Sequence, residues 1–261
     1  MMNLTDSDYD EDLEQVATLV NPQGASSVLL VCEHASSFIP PEYDGLGLSE
    51  DDQASHIAWD PGALALSRHL SDLLDARLVL SKVSRLIYDC NRPPKALDAM
   101  PASSEGRAIP GNVAIDENER AQRIARFYDP FKALLANTLD AMADKPVLVT
   151  IHSFTPVFHG QTRNVEFGIL HDSDRRLADL MLEHAPAHTK LNVMRNEPYG
   201  PEHGVTHTLK QHGVDNGYLN VMLEINNRLL TGDAEQKAIA DMIAALLRDV
   251  LGKLNKGEVA A

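Results

Sequence analysis

The chain has 261 residues, 44% of them hydrophobic, ample for a sizeable core and for one large α/β domain or two small ones. Its 23 basic and 38 acidic side chains give a formal charge of −15, which repels polyanions and removes nucleic acid from the expected partners. No apolar run approaches the roughly 18 residues of a membrane span, the acidic start MMNLTDSDYDEDLEQ lacks the order of a signal peptide, and Cys32 and Cys90 are too few for a disulfide framework; a soluble cytoplasmic protein with no membrane partner is expected.

The first β-rich run is SVLLVC (27–32), and Glu33 and His34 follow it directly. HIAWDPGALAL then sets Asp60 and Pro61 at the entry to a helix whose apolar face is Ala63, Leu66, Leu70, Leu73 and Leu74. RLVLS (77–81) and RLIYDC (85–90) read as two more strands. Residues 93–118 break the rhythm with four prolines, an excursion of the sort that compact domains keep for lids or binding loops, the plain alternative being a surface connection. Ile124, Phe127, Tyr128, Phe131, Leu135 and Leu139 mark one helical face. PVLVTI (146–151) is a strand that opens at His152, and VEFGIL (165–170) is another. Leu177, Leu180 and Met181 place a third helix before the strand LNVMR (191–195). A second long loop, RNEPYGPEHGVTHTLKQHG (195–213), leads to the strand YLNVMLEI (218–225), and Ile239, Met242, Ile243, Leu246, Val250 and Leu251 define a terminal helix. Strands alternating with helices predict a three-layer α/β/α fold around a mostly parallel central sheet, as one domain spanning 1–261, with a core of about 25–252 and loose ends at 1–20 and 253–261.

Polar side chains recur where these strands end. His34, His152 and Glu224 come at or just past strand ends and Asp60 at a helix entry, so four elements can deliver them to one edge of one sheet. Zinc hydrolases need this inventory: His and carboxylate ligands, an open position for water, and a nearby carboxylate to take the water's proton. His34, Asp60 and His152 would hold one Zn2+ per chain and Glu224 would be the base. Each has an ordinary alternative: a helix cap for Asp60, a surface acid for Glu33, an arginine partner for Glu224, a satisfied rim imidazole for His152. An acidic protein that binds a carboxylate needs a guanidinium fork, and Arg92 beside Asn91 is the candidate, against an ion pair of Asp89 with Arg85 or Arg92 that ties the loop down.

VCEHASSFIPPEY, HIAWDPGA, SRLIYDCNRP, IHSFTP, NEPYG and LEINNRLL, in that order and across roughly residues 25–250, resemble the N-formylglutamate amidohydrolase family, whose members are similar to zinc carboxypeptidases and cell-wall amidases. The resemblance implies a metal ligand at His152, a carboxylate grip at Asn91 and Arg92, and the catalytic carboxylate at Glu224. The carboxypeptidase HxxE pattern is missing, since Ser37 stands three residues after His34. Asp60 takes the second ligand position by similarity to the cell-wall amidases. Glu33 is the reserve ligand, although strand geometry would point it away from His34. The implied reaction is zinc-dependent hydrolysis of an N-formyl or N-acyl amino acid such as N-formylglutamate, in amino-acid catabolism. Arg85 would polarise the carbonyl, Arg163 would take a second carboxylate, and Tyr199, His203 and His207 of the late loop would close over the substrate. The two long loops differ from those of the deformylases of histidine breakdown, which suggests a divergent branch. Two rival readings use the same residues: a binding or regulatory protein on this fold, and a zinc peptidase or peptidoglycan amidase. The oligomeric state and the acyl group are left open.

Overall fold

The structure, a computed structural model, describes residues 16–142 and 145–255. Seven strands form the central sheet: β1 (Ala17–Val20), β2 (Val28–Cys32), β3 (Arg77–Ser81), β4 (Val147–Phe154), β5 (Phe167–Leu170), β6 (Val193–Arg195) and β7 (Leu219–Asn226), in the spatial order β1-β3-β2-β4-β7-β5-β6. The central four, β3-β2-β4-β7, are parallel, whereas β1 runs antiparallel to β3, and β5 with its parallel partner β6 runs antiparallel to β7. The sheet is therefore mixed and mostly parallel, as the alternation of runs predicts.

β2 and β4 are buried along their whole length, which is why they read as unbroken apolar runs rather than as alternating ones. One face, with Leu30, Cys32, Val149 and Ile151, packs on α2 (Ala63–Leu74), which follows the short α1 (Glu50–Ala54), and on α5 (Arg176–His188) and α6 (Asp233–Asn255). The other face, with Leu29, Val31 and Leu148, packs on Phe131, Leu135 and Leu139 of α4 (Asp129–Asp140) and on the segment around Leu86–Cys90. Among the described residues no helix is long and apolar enough to cross a membrane.

Three expectations change. RLIYDC is not a strand: the Ile87 N–H goes to the Ser84 carbonyl, and Ser84 Oγ accepts from the Leu86 N–H and donates to the Ala58 carbonyl. Its apolar side chains are buried beneath loops, so its hydrophobicity records burial, while its backbone N–H groups go to turn and loop carbonyls, Arg85 to Ala58 and Asp89 to Ala99, rather than to a sheet ladder. The helix read from Ile124 to Leu139 opens into a π turn at Ile124–Tyr128 between α3 (Glu117–Arg123) and α4. Pro130 explains the widening, because proline lacks an N–H and its ring crowds the carbonyl four residues back. Finally, part of the expected loose N-terminal end is ordered: β1 covers the sheet edge along Leu78–Ser81, and α6 runs to Asn255. The remainder of both ends, 1–15 and 256–261, lies outside the described residues.

Because β2, β4 and β7 run the same way, their carboxyl ends lie along one edge. β4 and β7 are in register there, with His152 opposite Glu224.

Candidate active site

His34 follows β2, and its carbonyl accepts the Asp60 N–H at 3.0 Å, a bond that ties the approach to α2 against the end of the strand. Gly62, at φ 84°, caps α2, and an added Cβ there would lie 2.5 Å from Leu230 Cβ. Asp60 therefore precedes the cap and leaves its carboxylate to the sheet edge. Its Oδ2 lies 3.3 Å from His34 Nδ1 and 3.0 Å from His152 Nδ1, and the two imidazole nitrogens are 3.2 Å apart. Three buried donor atoms thus form a nearly equilateral triangle.

Each histidine has a carboxylate at its other nitrogen. His34 Nε2 is 2.7 Å from Asp89 Oδ1, and His152 Nε2 is 3.2 Å from Glu33 Oε2, an ion-pair distance without hydrogen-bond alignment. Glu33 stands behind His152, outside the triangle, so the reserve ligand of the sequence reading is a partner of a ring instead. From the turn that follows β2 it meets the imidazole carried by the neighbouring strand β4. Asp89 also accepts from Arg85 Nη2 at 2.9 Å, and Arg85 Nη1 is 3.4 Å from Asp60 Oδ1. The Arg85–Asp89 ion pair is in place, and the guanidinium holds two carboxylates beside the triangle.

Four buried carboxylates, Glu33, Asp60, Asp89 and Glu224, gather with two imidazoles and Arg85. Burial opposes the ionisation of Asp60, yet His34 and His152 hold its carboxyl well below the ordinary range. Burial likewise opposes Asp89, which His34 and then Arg85 keep well below it. Burial disfavours imidazolium at His152, but Glu33 and Asp60 outweigh it and raise its pKa well above the usual value. Glu224 goes the other way: burial, with Asp60 adding to it against His152 and His34, pushes its carboxyl up to about 7. Its Oε2 is buried without a hydrogen-bond partner.

The donor set fits a divalent cation. Zinc ligands at about 2.0–2.2 Å in tetrahedral geometry stand about 3.3 Å apart, close to the triangle's edges. A carboxylate behind each ring is the arrangement that fixes tautomer and orientation in metal-binding histidines. Buried acids in excess of cations also call for a counter-charge.

These residues floor a cavity of about 470 Å³. Its walls come from Asp98 to Glu105 of the first long loop, from Phe158 and Arg163 around the small hairpin after β4, and from Pro198 to Val205 of the second loop. Arg85, Asn91, Arg92, Arg163, Tyr199 and His203 all line it. Asn91 and Arg92, however, are tied into the second loop. Asn91 Nδ2 donates to the Val205 carbonyl and its Oδ1 accepts the Thr208 N–H, while Arg92 Nη1 donates to the Gly204 carbonyl at 2.9 Å and Nε to Asp98 at 2.8 Å. His207 is not in the wall; it sits behind it, 2.8 Å from the Tyr128 hydroxyl. His203 is exposed, its Nδ1 accepting the Gly200 N–H. Sequence reasoning missed the link from His34 to Asp89, whose signal was the need of a ligand histidine for a carboxylate, and the pairing of His56 with Glu105 at 2.8 Å.

Two histidines and a buried glutamate at the carboxyl ends of parallel strands, with an aspartate from the approach to α2 beside them, define a hydrolase-type site. The N-formylglutamate amidohydrolase family model matches residues 26–231. The chain belongs to this family, and it is an amidohydrolase of amino-acid derivatives. It is similar to the gene product Atu2144 from Agrobacterium tumefaciens, with 50% identity, a TM-score of 0.90, and coverage of 92% of this chain and 96% of that one. The N-formylglutamate amidohydrolase from Ralstonia eutropha JMP134 shares the fold at 17% identity and a TM-score of 0.58, over 92% of this chain and 98% of that one. No curated protein matches the chain.

Proposed function

We propose that the protein is a zinc-dependent amidohydrolase that cleaves an N-formyl or N-acyl amino acid to the free amino acid and a carboxylate. The observation that carries this reading is the donor triangle of His34, Asp60 and His152 with Glu224 opposite His152 on the adjoining strand. A zinc ion held by those three side chains would supply Lewis acidity and an acidified water. Imidazole and carboxylate donors suit zinc among the divalent cations.

Glu224 takes the proton of the attacking water and passes it to the leaving nitrogen. Burial disfavours its carboxylate and so makes it a better proton acceptor than an exposed glutamate. Arg85 holds Asp60 and Asp89 by ion pairs and lines the cavity, where a carbonyl oxygen gains charge. Asp89 and Glu33 hold the two imidazoles in their ring orientations. Asn91 and Arg92 hold the second loop over the cavity and so help to exclude water from it. A cavity of about 470 Å³ suits a small acyl amino acid. The two free, buried cysteines suit a reducing compartment, the cytoplasm.

The test is elemental analysis of the purified protein together with a screen of N-formyl and N-acetyl amino acids read out as free amine. One zinc per chain and amine release that Glu224→Gln abolishes are expected. Protein that lacks a divalent cation, or hydrolysis that continues in Glu224→Gln, would overturn the reading. The rival role as a non-catalytic binding protein gives no reason to keep, opposite His152 in the cavity, a buried glutamate whose Oε2 has no partner.

A further inference from the structure

Three arginines line the cavity. Arg85 is paired with Asp60 and Asp89, and Arg92 with Asp98. Among the described residues Arg163 has no carboxylate partner; its Nη1 donates to the Thr155 carbonyl at 3.3 Å, and its guanidinium also hydrogen-bonds the Tyr199 side chain. Its guanidinium instead packs on aromatic rings, 4.4 Å from the centroid of Phe158, 4.7 Å from Tyr199 and 5.7 Å from Phe154. Rings cover a guanidinium without satisfying its N–H groups, and they remove water from around the charge, which strengthens its attraction for a planar anion. Tyr199, half-buried, stays a protonated hydroxyl: burial and Glu224 raise its pKa, against the pull of Arg163 and Arg85. A fork and a hydroxyl therefore stand together in one wall, beside the base.

From this arrangement we infer that Arg163, with Tyr199, is the carboxylate anchor of the cavity, that Asn91 and Arg92 are loop tethers, and that the substrate docks through one carboxylate only. The inference rests on the acyl amino acid reading above and narrows its substrate class. With the other two guanidiniums matched by aspartates, a second carboxylate on the substrate meets no unmatched positive charge. A dicarboxylic derivative gains nothing over a monocarboxylic one.

The test measures equilibrium binding to zinc-loaded Glu224→Gln protein, in which turnover is suppressed, and to the same protein carrying Arg163→Met, Arg163→Lys or Arg92→Met. Three probes separate the carboxylates: N-formyl-L-glutamate, N-formyl-L-glutamine and N-formyl-L-isoglutamine, which carry both, the α-carboxylate alone and the side-chain carboxylate alone. Methionine keeps the packing on the rings and removes the fork; lysine keeps the charge alone. One of the two single-carboxylate probes should bind within about twofold of N-formyl-L-glutamate. Arg163→Met should weaken both of these by about tenfold or more, the scale of a lost charge-assisted pair, with Arg163→Lys in between. The third probe, already weak, should be unchanged, which also certifies that the variant is folded. Affinities that ignore Arg163, a loss that follows Arg92→Met instead, or a tenfold gain from the second carboxylate would each overturn the anchor while leaving the amidohydrolase reading standing. If none of the probes binds, the acyl amino acid reading falls and the anchor falls with it.

Discussion

Asp89 and Glu33 do the same work at different quality. The contact of Asp89 with His34 is 2.7 Å and aligned, while that of Glu33 with His152 is 3.2 Å and unaligned. Partners of this kind are worth about 10–100-fold in metal affinity. Asp89→Asn should therefore weaken zinc binding within that range, and by more than Glu33→Gln, as read by competition with a chelator; equal losses would refute the ranking. Glu224→Gln should leave zinc bound and remove most turnover, so a variant that loses its metal would speak against a purely proton-handling role. His34, Asp60, His152 and Glu224 were legible in the sequence because each stands where an apolar run or a helix entry ends, and the parallel sheet brings such ends together. Asp89 was legible only as an arginine's partner, because nothing local in DCNR shows that His34, 55 residues earlier, lies at its other oxygen. The tethering by Asn91 and Arg92 was hidden for the same reason, their partners being backbone groups more than 110 residues away.

At the level of elements, the strands β2, β3, β4 and β7 were readable because central parallel strands must be apolar on both faces. RLIYDC has the same composition from burial under loops, and composition alone cannot separate the two cases. The turn Leu209–Gly213 carries a prediction of its own. His212 is buried there, and burial, helped by the nearby His207 and Lys132, pushes its pKa down to about 4. The folded protein thus keeps His212 neutral where the unfolded chain binds a proton near 6.5, so the unfolded state gains protons as the pH falls from about 6.5 to about 4, and stability falls with it. At about 1.4 kcal/mol per pH unit the loss is on the order of 3 kcal/mol. Denaturation measured across that window should show a shallower decline in His212→Gln, and parallel curves would refute the assignment. Gly168 of β5 lies opposite Glu224, and a Cβ there would come 2.0 Å from the Glu197 carbonyl and 3.1 Å from Glu224 Cβ. Gly168→Ala must therefore move backbone. It should lower both thermal stability and turnover, and a variant with unchanged Tm and kcat would show that the second loop yields freely.

Over the whole molecule, the acids clustered at the sheet edge would make a bound metal a stabilising ligand as well as a chemical one. A cation at a hundredfold excess over its Kd adds about 2.7 kcal/mol, which for a chain of this size raises the Tm by on the order of 5 °C or more. Zinc should produce this shift in the parent protein and not in His152→Ala, as followed by scanning calorimetry, and a shift that persists in the variant would place the ion elsewhere. His152 and Glu224 sit side by side on neighbouring central strands, whereas Arg163, Tyr199 and Asp98 sit on connecting loops. The groups proposed to react are thereby anchored in the buried central sheet, while those proposed to recognise a substrate hang from its periphery. Descendants of such a scaffold could trade one substrate for another by loop exchange, with the groups on the sheet inherited intact.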